Sequence, residues 1–64
     1  MTKQKMEQNI NKEIEQLSSM MKRYEKLSEE TKDETTRLMH EQRYNELNQR
    51  KYEALVIRYS LFGY

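Results

Sequence analysis

Apolar residues in the first half of the chain fall at Met6, Ile10, Ile14, Leu17, Met20, Met21, Tyr24 and Leu27. From Ile10 through Ile14, Leu17 and Met21 to Tyr24 the steps are 4, 3, 4 and 3, the spacing of one helical face. In heptad terms Ile14 and Met21 share one seam position, and Ile10, Leu17 and Tyr24 the other. Met6, Met20 and Leu27 lie beside that seam and widen it. The pattern predicts a helix over about 3–27, roughly 37 Å long at about 1.5 Å per residue. Thr2 is placed to cap it, although Lys5 stands where a capping box has Glu or Gln.

Between Ser28 and Arg37 there is no apolar side chain. Nearly three turns of helix there would have nothing to bury. Inside this stretch Thr31-Lys32-Asp33-Glu34 matches a capping box, with Glu34 three residues after the Thr31 hydroxyl. Asp33 and Glu34 suit the positive end of a helix dipole, and Asp33 and Arg37 have i,i+4 spacing. The expectation is a turn over about 28–32 and a second helix over about 32–61.

The second stripe reads Tyr44, Leu47, Tyr52, Leu55, Tyr59 and Phe62, with Asn48 and Lys51 on the same face. Carried along one straight helix, it points nearly opposite to the first. Even with coiled-coil underwinding it is displaced by roughly 60°. A single continuous coiled-coil helix would therefore have a broken seam and an empty middle. Folding back at 28–32 brings the two stripes face to face. Gly63, the only glycine, lies where the second helix should stop. As a left-handed residue it would place Tyr64 to pack on Tyr59 in a Schellman ending. A strand over 55–62 is the competing reading, because Leu55-Val56-Ile57 and Tyr59 are strand formers. The expected fold is all-α: one domain over 1–64, a two-helix antiparallel hairpin that dimerises into an antiparallel four-helix bundle.

Composition narrows the function classes. A chain of 64 residues buries a limited core, and with no cysteine it has neither disulfide nor thiolate metal site to staple it. Charged residues make up 36% of the chain yet sum to +1, which argues against an acidic DNA mimic and gives a nucleic-acid binder little support. The start of the sequence has no apolar leader, and no run approaches the ~20 apolar residues of a membrane span. A cytoplasmic protein with no membrane association is expected.

No catalytic constellation is present. His40-Glu41 resembles the opening of a zinc-protease motif, but Tyr44 stands where the second histidine should be. A lone histidine on a polar helix is a solvated residue or a stacking partner for Tyr44. There is no glycine-rich phosphate loop and no nucleophile beside a base. No catalytic residue, metal or cofactor is assigned, and the chain reads as a non-enzyme.

Two surfaces remain. Arg43 and Arg50 are seven apart, with Arg58 further along and Tyr44 beside them: a candidate phosphate-contacting flank with a stacking aromatic. The plainer explanation is an ion-paired solvated flank, because Glu46 is spaced to reach both Arg43 and Arg50. Lys22, Arg23 and Lys26 carry the same plain explanation. The five methionines read as core filling, at least for Met6, Met20 and Met21 on the first stripe. Val56 and Ile57 have no such explanation, since they lie about 100° and 160° off the second stripe. A helix apolar around its circumference is usually covered all round. The expected function is that of a small regulatory or adaptor protein, self-associating and binding a protein partner. The contact surface is Tyr52, Leu55, Val56, Ile57, Tyr59, Leu61, Phe62 and Tyr64. A dimeric RNA- or DNA-binding bundle using Arg43, Tyr44, Arg50 and Arg58 is the alternative, and a purely structural coiled-coil module the third.

Overall fold

Two long helices and one three-residue link account for the chain. In the computed structural model, which describes residues 2–64, α1 spans Lys3–Glu30 and α2 spans Glu34–Phe62, with no strand among the described residues. The helices run antiparallel along their whole lengths. The result is a rod of 47 × 17 × 15 Å. Its radius of gyration is 14.6 Å, against about 11 Å for a globule of this length. Residues 55–62 are helical, so the strand reading does not hold. The two helices fold back on each other, so the single rod does not hold either.

The Thr2 hydroxyl accepts from the amide of Lys5 at 3.2 Å and opens α1. The turn lies later than the sequence suggests. α1 runs on through Ser28 to Glu30, and Thr31, with extended backbone, closes it by donating its amide to the Leu27 carbonyl. The cap of α2 is Asp33 rather than Thr31. Its Oδ2 accepts from the Thr36 hydroxyl at 2.6 Å and the Thr36 amide at 3.0 Å. An aspartate that takes two donors from one residue offers α2 more than a threonine cap would. Moving the start to Glu34 also frees Thr31 to end α1. The same two donors, the hydroxyl first, hold the Asp33 carboxyl below the usual carboxylate range. At the far end Gly63 has φ 82° and donates its amide to the Tyr59 carbonyl at 2.8 Å. This is the simple left-handed ending that glycine accepts without penalty.

The seam of α1 follows its stripe: Leu17 and Met21 are buried, and Ile10, Ile14, Tyr24 and Leu27 are half-buried. Met6 and Met20 remain exposed and do not fill the core. The seam of α2 differs more. Ala54 is its one buried residue, with Tyr44, Leu47, Lys51, Leu55, Arg58 and Phe62 half-buried around it. Tyr52 and Tyr59 are 64% and 69% exposed, and Asn48 is exposed as well. The working seam is thus rotated by roughly 50° from the expected stripe. Ala54 lets the backbones approach, and Lys51 and Arg58 cover apolar surface with their stems.

Among the described residues only Leu17 (4% exposed), Met21 (8%) and Ala54 (6%) are buried, and no side chain is sealed completely. Leu17→Ala should therefore destabilise the hairpin by roughly 2–5 kcal/mol, read from urea unfolding. Asp33→Ala should lower the melting temperature most above about pH 4, where an ordinary aspartate is ionised. A carboxyl with a depressed folded-state pKa stabilises above its unfolded value and loses that contribution as pH falls through its folded one. The gap between the two proteins should narrow in acid; a gap independent of pH would exclude the charged cap.

Candidate functional site

The eight residues expected to form one contact surface on the second helix divide into separate groups. Leu55 and Phe62 are half-buried at the seam, and the Lys3 ammonium lies 5.7 Å from the centre of the Phe62 ring. Tyr52, Val56 and Tyr59 are exposed and lie on the outer side of α2, roughly 90–160° from its seam. Their spacing is i, i+4, i+7, so they form one continuous strip. Ile57 and Leu61, 50% and 45% exposed, lie on the opposite flank, roughly 60–110° from the seam. There Ile57 lines a groove of about 130 Å³ together with Ile10, Glu13, Arg50, Glu53 and Ala54.

Tyr64 belongs to neither flank and does not pack on Tyr59 as expected. The left-handed Gly63 turns it back over α1. Its hydroxyl donates to Glu7 Oε2 at 2.6 Å and accepts from Asn11 Nδ2 at 2.8 Å. The Arg58 guanidinium lies 4.5 Å from its ring centre. Arg58 Nε donates to the Tyr64 main-chain oxygen at 3.0 Å, and Nη1 donates to Asn11 Oδ1 at 3.1 Å. Glu7, Asn11, Arg58 and Tyr64 form a closed polar cluster that ties the open end of the hairpin. Asn11 and Glu7 gave no signal in the sequence beyond being four apart beside the α1 seam.

This cluster breaks up the arginine flank. Arg58 faces α1, so it does not extend a stripe with Arg43 and Arg50. Arg43 is paired with Glu46 at 3.3 Å. Arg50 stands in the Ile10–Ile57 groove with no ion pair or hydrogen bond among the described residues. Tyr44 is half-buried and helps line a cleft on the other face of the hairpin, beside Glu25, Glu29 and Glu41. Three carboxylates there would repel a phosphate backbone. His40 is half-buried with its ring 5.9 Å from Tyr24. Its ring pairs with Tyr24 across the seam and not with Tyr44.

No protein-family model, curated protein or solved structure matches the chain. Among the described residues, no group of His, Cys, Asp or Glu is arranged to hold a metal ion, and no helix is long and apolar enough to cross a membrane. The exposed apolar side chains of α2 form two strips, Tyr52–Val56–Tyr59 and Ile57–Leu61, on different sides of the helix.

The polar cluster has a local consequence. Arg58→Ala removes the link to Asn11, the link to the Tyr64 main chain and the stacking at once. Amide exchange near both chain ends should then accelerate, with little change around Leu17 and Met21. Tyr64→Phe keeps the ring under Arg58 and loses only the hydroxyl links, so its effect should be smaller. Equal protection in all three proteins would show that the cluster holds nothing.

Proposed function

We propose that the chain is a small helical adaptor that binds another protein along the outer strip of α2 and performs no chemistry. The observation that carries this reading is the strip itself. Tyr52 and Tyr59 are the two most exposed large apolar or aromatic side chains of the described chain, and Val56 lies between them on the same side. Tyrosines one heptad apart gain little from the fold at that exposure. Tyrosine is among the residues that dominate binding energy at protein interfaces, since it offers large area, few torsions and a hydroxyl that tolerates water until it is covered. Anchors at i, i+4 and i+7 fit the pattern by which one helix lies in an apolar groove or against another helix.

The arginine flank offers less to a nucleic acid. Arg43 has its own carboxylate, Arg58 is held in the polar cluster, and carboxylates line the cleft next to Tyr44. A purely structural module would need no exposed tyrosine pair on its outer side.

A photo-reactive residue placed at Val56, with Glu15 on the outer side of α1 as control, tests the reading in the native host. One discrete heterologous adduct from position 56 and none from position 15 is the expected result. With that partner purified, Tyr52→Ala and Tyr59→Ala should each weaken binding by about 2 kcal/mol or more, roughly thirtyfold. Arg43→Ala, which lies outside both apolar strips, should leave it unchanged. The reading fails if position 56 yields no heterologous adduct, or if the arginine pair instead controls a salt-sensitive affinity for RNA or DNA.

A further inference from the structure

The flank opposite the tyrosine strip fits a different occupant. We propose that the Met6–Ile10–Ile57–Leu61 side of the hairpin is covered by a second copy of the chain. The two hairpins would pack face to face about a two-fold axis parallel to the helices, with both turns at the same end.

Area gives the first argument. The chain exposes 5362 Å². A folded monomer of 8.0 kDa is expected to expose only about 4,450 Å². The surplus of about 900 Å² comes with the rod shape, and it leaves room to bury the ~800 Å² that each partner gives to a standard interface.

The placement of apolar residues chooses the face. Met6, Ile57 and Leu61 are 36%, 50% and 45% exposed, and the groove beside them reaches the half-buried Ile10 and the buried Ala54. Covering this flank would extend the existing core without a gap. The other face carries the Glu7–Asn11–Tyr64 cluster and the cleft lined by Glu25, Glu29 and Glu41. Burying it would strand polar groups and like charges.

Charge chooses the arrangement. Glu13 and Arg50 line the same groove, and neither has an ion pair or hydrogen bond among the described residues. A two-fold axis parallel to the helices keeps axial level and exchanges the helices, so α1 of one copy faces α2 of the other. Glu13 then meets the other copy's Arg50, Ile10 meets its Ile57, and Met6 meets its Leu61. Every neighbouring helix pair is antiparallel. The opposed arrangement, with turns at opposite ends, would bring the apolar open end of each copy against the polar turn of the other. An isologous contact needs a self-complementary patch, and this face supplies one.

This assignment does not rest on the adaptor reading. Tyr59→Glu should leave self-association intact, and Ile57→Glu should not depend on any heterologous partner. Ile57→Glu should convert a sedimenting dimer into monomer, with circular dichroism used to confirm that the chain is still helical. Glu13→Arg and Arg50→Glu should each weaken the homodimer by about tenfold or more, because each sets like charges opposite one another twice. Mixing the two variants should restore association, since both intermolecular contacts are then of opposite sign. A pairing within one chain cannot be rescued by mixing. The chain has no cysteine, so a spin label at Lys32→Cys reports the arrangement without interference. Labels in the two copies should lie within about 25 Å if the turns share an end, and near the 47 Å length of the rod if they do not. The proposal is overturned by a concentration-independent monomer, by an Ile57→Glu dimer as tight as the parent, by failure of the mixed variants to associate, or by the long distance.

Discussion

Two helices meet along one seam, and a single seam is narrow. Each helix can turn only a limited part of its circumference toward the other, whatever its sequence offers. Here the buried positions among the described residues are Leu17 and Met21 on one side and Ala54 on the other. Ala54 lies beside Ile10 rather than opposite Leu17 or Met21, and its small side chain leaves a groove open there. Every other apolar residue takes the coverage that remains. The half-buried status of Ile10, Ile14, Leu47 and Leu55 follows from that limit and not from poor packing.

The ends of the rod are held by polar contacts, and differently at each end. At the turn, Asp33 collects both donors of Thr36, fixing where α2 begins and hence the register in which it returns. At the open end, Arg58 reaches across to Asn11 while Tyr64 folds over to Glu7 and Asn11. These last contacts lie at exposed or partly buried sites, so each is worth little by itself. Their effect is geometric: they oppose the fraying that a hairpin suffers where no covalent link joins its helices. Salt bridges contribute little to register. Lys26–Glu30, Arg37–Glu34 and Arg43–Glu46 all lie within one helix.

The first helix and the hairpin itself were legible in the sequence, while the facing of the second helix was not. In α1 the aliphatic residues keep helical spacing and are flanked by Lys, Glu, Gln and Asn, so one periodicity dominates. In α2 the apolar residues surround the axis, and an inference weighted by hydrophobicity chose the tyrosines. The fold chose Ala54 for its size and Lys51 and Arg58 for their stems, properties that a hydrophobic scale ranks low. The turn was misplaced by a similar competition, since Thr31 and Asp33 are both good caps and only the better one opens α2. Of the eight residues expected to make contacts, Leu55 and Phe62 are half-buried at the seam and the other six are exposed. That they divide between opposite flanks depends on where the seam lies. The cluster of Glu7, Asn11, Arg58 and Tyr64 spans up to 57 positions, and no local pattern could announce it.

The contrast between the helices also bears on function. A chain needing only a stable hairpin would give α2 the same single stripe as α1 and make its remaining surface polar. Instead α2 carries a seam and two further apolar strips, one at Tyr52, Val56 and Tyr59 and the other at Ile57 and Leu61. Apolar side chains left partly exposed at these positions raise the hazard of nonspecific association. Their separation to opposite sides of the helix means that one occupant can hardly cover both. On the proposed reading, a second copy takes the groove side and leaves the tyrosine side outward on both copies. The assembled dimer would then present two equivalent tyrosine strips. A partner with two matching grooves would bind it through effective concentration, well beyond the affinity of either strip alone. Self-association would in that case set the strength of the heterologous contact without touching any residue that makes it.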